Sequence, residues 1–266
     1  MSTVVLVTGG TRGVGAGIAQ GFADAGAEVV VCGRTPPGPS GESPATTISG
    51  STIPGSTIPT FLAADVRNAE QVAAMIDTIV ERFGRLDVVV NNAGGSPPAD
   101  AAAASPRFSE AIVRLNLLAP LLVAGLANAV MQRQSGGGSI INIASLGGLR
   151  PSPGTAIYSA AKAGLIDATV GLSMEYAPKV RVNCVTPGAI ATQELYDQYG
   201  GDDYFDAVAA TVPMGRMGRP HDVASACVFL ASEAAAFITG ANLLVHGGGD
   251  APPAVATTGR VASSAS

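Results

Sequence analysis

Short β-branched runs separated by Ala-rich stretches of helical spacing constrain this chain more than any other feature. "VVLV" at 4–7, "EVVV" at 28–31, "FLAA" at 61–64, "DVVV" at 87–90, "SIINI" at 139–143, "VRVNCV" at 180–185 and "NLLV" at 242–245 are apolar throughout instead of alternating. Such strands are covered on both faces, as in a parallel sheet sandwiched between helices. Helical patterns at 14–25, 69–83, 107–132, 157–176 and 220–232 lie between most of them. That is βαβ repetition, and right-handed crossovers then predict an α/β fold with a doubly wound, seven-stranded parallel sheet and helices on both faces. Nothing marks a linker near the middle, so residues 1–250 are read as one domain. Ligands of such sheets bind beyond the carboxyl ends of the strands.

One crossover breaks the pattern. Between Arg34 and Phe61 the chain carries six prolines among many Gly, Ser and Thr, with "GSTIP" at 50–54 repeated at 55–59. Proline at this density forbids a helix, so residues 35–60 are expected to form a mobile flap in place of one. Residues 251–266, rich in Ala, Ser, Thr and Pro, have the composition of a disordered tail.

Composition narrows the function. Hydrophobic residues at 47% and charged ones at 13% support a sizeable core and exclude a disordered or fibrous chain. A net charge of -5 without a Lys/Arg block argues against a nucleic-acid partner. Cys32, Cys184 and Cys227 are far apart and lack metal-ligand spacing, which fits buried thiols in a reducing compartment and no metal site. With no charged-then-apolar leader before Val4 and no apolar run approaching about 18 residues, a cytoplasmic protein without a membrane partner is expected.

Two motifs carry chemistry. "TGGTRGVG" at 8–15 puts a glycine-rich turn directly between the first strand and the first helix. There Gly9, Gly13 and Gly15 permit tight turning and close approach, so amide N–H groups at a helix N-terminus can face a pyrophosphate. In "IYSAAKAG" at 157–164, Tyr158 and Lys162 stand four residues apart on one helix face. A fixed ammonium would pull the phenol below its usual value of about 10 and make the pair competent to handle protons. The plainer alternative is a core tyrosine beside a solvated lysine.

The glycine spacing TGxxxGxG, "DV" at 65–66, "NNAG" at 91–94, Asn116, Ser145, the Tyr158/Lys162 pair and "PGAIAT" at 187–192 occur in one order. In this the chain resembles the short-chain dehydrogenase/reductase family from Val4 to about Gly249, and the resemblance implies a Rossmann-type oxidoreductase domain. It also implies a catalytic set of Asn116, Ser145, Tyr158 and Lys162. Ser145 would orient and polarise a substrate carbonyl, Tyr158 would deliver the proton, and Lys162 would lower the tyrosine pKa and bind ribose hydroxyls. Asn116 would interrupt its helix and anchor a water leading to Lys162. The implied cofactor residues are Gly9, Thr11, Arg12, Gly13, Val14 and Gly15 in the turn, with Tyr158 and Lys162 at the far end. Asp65 would meet the adenine amino group beside the Val66 amide; Asn92, Ala93 and Gly94 would line the adenosine ribose; Ile190 and Thr192 would hold the nicotinamide carboxamide. Individually each has a duller reading, such as Asp65 capping the next helix.

The end of strand two decides between dinucleotides. NAD enzymes place an acidic residue there to accept both ribose hydroxyls, whereas this chain has Gly33 followed by Arg34. A guanidinium suits a 2′-phosphate, and Arg12 adds a second positive charge, so NADP(H) is favoured and NAD(H) stays possible.

The segment 193–219 occupies the place of a substrate lid. It holds Tyr196, Tyr199, Tyr204 and Phe205 as a candidate apolar wall, and Asp202, Asp203 and Asp206, which would disfavour a phosphate-rich carrier if they faced the pocket. A small-molecule carbonyl or alcohol is expected, either a 3-oxoacyl thioester or a ring alcohol of steroid or terpenoid type. The alternative of another class is a non-catalytic NADP(H) sensor or scaffold. The resemblance further implies a homo-oligomer, a dimer or tetramer, joined through the helices at 107–132 and 157–176 and the last strand.

Overall fold

The computed structural model describes residues 2–35, 59–150, 152–199 and 201–249. The 35–60 flap, from residue 36 to 58, and the 251–266 tail lie outside the described residues. The strands are β1 Val4–Thr8, β2 Glu28–Gly33, β3 Thr60–Ala63, β4 Val88–Asn91, β5 Gly138–Ile143, β6 Val180–Pro187 and β7 Asn242–Val245. They form one sheet in the order β3-β2-β1-β4-β5-β6-β7 with parallel pairing throughout.

Strand alternation sorts the apolar runs onto two faces. Leu6, Val30, Val89, Ile140 and Val182 enter one core, which is covered by α2 (Ala69–Phe83) and α4 (Ala119–Met131). Val5, Val7, Val31, Val90, Ile141 and Val185 enter the other, under α1 (Gly13–Asp24) and α8 (Pro220–Ala231). Consecutive residues therefore both find cover, which is why the strands read as continuous apolar runs. The three cysteines are fully buried in the core, and burial pushes the Cys32 and Cys184 thiols up to about 11.

Helix boundaries have local causes. Asn68 caps α2 by accepting the Gln71 N–H at 3.0 Å, and left-handed Gly84 ends it. Gly17 and Gly21 let α1 lie close on α8: a Cβ on Gly17 would stand 2.3 Å from Pro220 Cβ, and one on Gly21 2.8 Å from Ala224 Cβ. Small residues there are a packing requirement.

The helix expected over 107–132 spans Pro106–Met131 and is interrupted, as the resemblance implied, at Asn116. It consists of α3 (Pro106–Val113), a π-helical turn over Arg114–Leu118, and α4. Its mean hydropathy of 1.6 gives it the length and composition of a membrane span, contrary to the expectation that no segment would come near one. Ile112, Ala119, Val123, Ala127 and Met131 pack into the protein core, and 39% of the apolar window is buried. The helix at 156–176 is α5 (Ala156–Tyr176), and the lid contains α6 (Gln193–Tyr199) and α7 (Asp202–Thr211).

Candidate active site

The sheet order reverses between β1 and β4, so the crossovers leaving these strands diverge and open a crevice at their carboxyl ends. The crevice is clamped at its base. Thr8 Oγ1 accepts the N–H groups of Asn92 and Ala93 at 3.0 Å each, while Asn92 Nδ2 donates to the carbonyls of Thr8 at 3.0 Å and Gly9 at 3.2 Å. The "NNAG" segment thus ties the two central strands together where they diverge.

Above this clamp the glycine-rich turn enters α1. Gly13 sits at φ 53°, a left-handed conformation, and a Cβ on Gly15 would fall 2.3 Å from the Gly9 carbonyl oxygen. Arg12, the N-cap, makes no side-chain capping bond, and the first turn carries no acidic residue. The orphan N–H groups of α1 therefore have no anionic partner from their own segment.

A cleft of about 1930 Å³ runs from Arg34 past this turn to Tyr158. It exceeds the roughly 300–1,000 Å³ of a drug-sized site, room for an extended dinucleotide with a substrate. Every expected cofactor residue lines it: Gly9, Thr11, Arg12, Gly13, Val14, Gly15, Arg34, Asp65, Val66, Asn92, Ala93, Gly94, Tyr158, Lys162, Ile190 and Thr192. Ser145 lines it as well, whereas Asn116 is fully buried behind the wall.

At the adenosine end Asp65 is engaged by a residue that the sequence reading passed over. Arg67 Nε donates to Oδ1 at 2.9 Å and Nη2 to Oδ2 at 2.6 Å, a bidentate pair. Arg67 holds the Asp65 carboxyl down at about 2, and the Arg34 charge contributes in the same direction. Asp65 is not the cap of α2; Asn68 is. Asp65 and Arg67 stand two positions apart in "DVRN", a spacing that could have flagged the pair.

The reacting end joins three elements. Ser145 lies two residues beyond β5, caps a short 3-10 turn by accepting the Gly147 N–H at 3.2 Å, and lies near enough to Tyr158 to draw the phenol down. Lys162, one turn along α5 from Tyr158, is buried and donates from Nζ to the Ile143 carbonyl at 2.8 Å. Its ammonium stands 5.8 Å from the centre of the Tyr158 ring. Asn116, in the π turn, accepts the Gly95 N–H at 2.8 Å and donates to the Gly95 and Ile112 carbonyls at 2.9 and 3.0 Å. Asn116 and Lys162 do not bond directly; Gly94 lies between them, its missing Cβ 2.7 Å from Asn116 Oδ1 and 3.3 Å from Lys162 Nζ.

One electrostatic expectation is corrected. The Tyr158 phenol is not drawn down by Lys162; burial raises it, with the neighbouring Ser145 hydroxyl pulling the other way. Lys162 is itself stripped of water, which lowers it from 10.5 to about 8, and its ammonium is directed at a backbone carbonyl. Desolvation is the largest influence on both groups. The phenol consequently keeps its proton at neutral pH and can donate it.

The lid is partly helical. Thr192 caps α6, its Oγ1 accepting the Leu195 N–H at 3.3 Å, and Tyr196 stacks on Phe205 of α7 with centroids 5.4 Å apart. Of the expected apolar wall, Tyr204 lines the cleft, with Leu195 and Val208 beside it. Asp202, Asp203 and Asp206 are not among the lining residues; Glu194 and Asp197, which the sequence reading did not single out, are.

A dinucleotide-type crevice next to a hydroxyl–phenol–ammonium set defines an oxidoreductase of the Rossmann class. The family model described as Enoyl-(Acyl carrier protein) reductase matches residues 9–249. The 3-oxoacyl-[acyl-carrier-protein] reductase FabG of Chlamydia trachomatis is 36% identical over 93% of this chain and 97% of its own. The L-fucose dehydrogenase of Oryctolagus cuniculus is 39% identical over 93% and 84%. The solved structure of ElxO with NADP bound superposes with a TM-score of 0.82 at 32% identity, covering 93% of this chain and 98% of that one. The chain belongs to the short-chain dehydrogenase/reductase family.

Proposed function

We propose that this protein is an NADP(H)-dependent oxidoreductase interconverting a ketone and a secondary alcohol, with Tyr158 as proton donor and acceptor. The observation carrying the reading is that Ser145, Tyr158 and Lys162 line the same cleft as the glycine-rich turn. The residues fit the cofactor: close-packed glycine backbone for a pyrophosphate, and Gly33 with Arg34 where an acid would select NAD. The NADP-bound relative supports the same choice.

When bound, NADP(H) supplies or accepts the hydride. Ser145 orients the substrate oxygen, and Tyr158, holding its proton at neutral pH, transfers it to that oxygen during reduction. Oxidation is the reverse: the phenol must first release its own proton toward solvent, and the resulting phenolate oxygen then accepts the proton of the alcohol. Lys162 spends one N–H on Ile143 and has two further donors for ribose hydroxyls. The Asn116–Gly95 bonds hold the π turn beside Lys162, where a water could return the proton from solvent.

Tyr204, Leu195 and Val208 offer an apolar wall suited to the acyl chain of a 3-oxoacyl thioester or to a ring alcohol. A panel of both substrate types, with NADP(H) and NAD(H), tests the reading by absorbance at the nicotinamide band. Tyr158→Phe should lower turnover about 10²–10⁴-fold with nucleotide binding retained. Unchanged turnover in that variant refutes the role, and nucleotide binding without turnover on any substrate would favour the sensor reading.

We further infer a homo-oligomer. Val170 and Met174 on α5 and Leu118 beside α4 are exposed, as are Phe237 and Leu244 at the β7 end of the sheet. These are the elements expected to join subunits, and exposed apolar surface there favours association. Sedimentation showing only a monomer would defeat this.

A further inference from the structure

We propose that Glu194 is a latch between the lid and the nucleotide site: its carboxylate pairs with Arg12 over the anion-facing end of α1 and must be displaced by the phosphates of an arriving dinucleotide. The inference rests on the nucleotide-binding reading above. Glu194 lies in the first turn of α6 and lines the cleft. Its Oε2 stands 3.2 Å from where a Cβ on Gly13 would be, and its Oε1 is 3.8 Å from Arg12 Nε.

The pairing has an electrostatic cause. With no side-chain capping bond from Arg12 and no acid of its own in the first turn, α1 presents the positive end of its dipole. Of the carboxylates among the described residues that line the cleft, Glu194 stands beside that end. A pyrophosphate bound at that end would bring the same sign of charge to the same place, so the two repel one another there. Side-chain exposures of 76% for Arg12 and 41% for Glu194 make the pair weak and therefore reversible.

Displacement moves more than one side chain. The Thr192 hydroxyl and carbonyl accept the N–H groups of Leu195 and Tyr196, so α6 is built directly on a residue expected to meet the nicotinamide. Tyr196 stacks on Phe205 and carries α7 with it. Nucleotide occupancy thereby sets the position of the substrate wall.

The test compares wild type, Glu194→Gln and Asp197→Asn, the last removing another lid carboxylate that lines the cleft. Titration with NADPH, followed by its fluorescence, should give a Kd about three- to tenfold lower for Glu194→Gln and within about twofold of wild type for Asp197→Asn. In hydrogen exchange, inorganic pyrophosphate should speed the amides of 193–199 in wild type and leave the already faster Glu194→Gln unaffected. Equal Kd values for wild type and Glu194→Gln, equal tightening in both variants, or no response of wild type to pyrophosphate overturns the latch alone. Failure of NADPH to bind any of the three proteins overturns the latch and the proposed function together.

Discussion

Replacing Lys162 by Met should leave the protein as stable as wild type at pH 7, or more so, and make it less stable at high pH. The reason lies in the buried ammonium, whose pKa falls from 10.5 unfolded to about 8 folded because water is removed from it. For a base with a depressed folded pKa, the unfolded chain binds more protons between these two values, so stability rises with pH across that window. Below about pH 8 the full cost is present, about 3 kcal/mol at 1.36 kcal/mol per unit. Between pH 7 and 9.5 about 2 kcal/mol of it is recovered. The substitution removes this cost but leaves the Ile143 carbonyl without its donor at 2.8 Å, a loss of about 1–3 kcal/mol. Wild type minus variant stability should therefore grow by about 2 kcal/mol from pH 7 to pH 9.5. The difference isolates Lys162, because other groups titrate in both proteins and Cys184, the thiol coupled to it, stands higher at about 11. Urea unfolding followed by far-ultraviolet circular dichroism measures it. A stability difference that does not change with pH would refute the desolvation argument. Turnover should be lost at every pH, which makes Lys162 a residue kept for function at the expense of stability.

Three further outcomes are expected. Arg34→Ala should weaken NADP(H) binding about 10–100-fold with little change for NAD(H), measured as Kd for each nucleotide. Gly94→Ala places a methyl 2.7 Å from Asn116 Oδ1 and 3.3 Å from Lys162 Nζ, and should depress kcat more than thermal stability if that gap serves proton transfer. Gly17→Ala puts a Cβ 2.3 Å from Pro220 Cβ and should destabilise the protein by about 1–3 kcal/mol in chemical unfolding, despite alanine's better helix propensity.

Much of the fold was legible because it follows local rules. The seven strands and five principal helices lie within a few residues of the positions read from hydrophobic pattern, since strands covered on both faces must be continuously apolar. The lid helices α6 and α7 were read only as a lid, because short segments with many acids and aromatics lack a decisive period. The apolar length of 106–131 was underestimated because the residues breaking its run are few and its core-facing side is dense in Ala, Leu and Val.

The site divides in the same way. Motif spacing named the residues of the glycine-rich turn and the Ser145, Tyr158 and Lys162 set, and the cleft is lined by them. Thr8, which clamps "NNAG", and Arg67, which holds Asp65, were missed because their importance lies in hydrogen bonds to particular partners. Glu194 could not be found from its neighbours at all, since its partners Arg12 and Gly13 belong to the other end of the chain.

By itself the sequence determined the architecture, the family and the membership of the reacting set, because periodicity and motif spacing are properties of order along the chain. Only the tertiary structure decided the direction in which the acidities of that set move. Whether an ammonium lowers a neighbouring phenol depends on how much water each has lost and on which oxygen the ammonium faces, and in this fold burial raises Tyr158 while Lys162 turns to the Ile143 carbonyl.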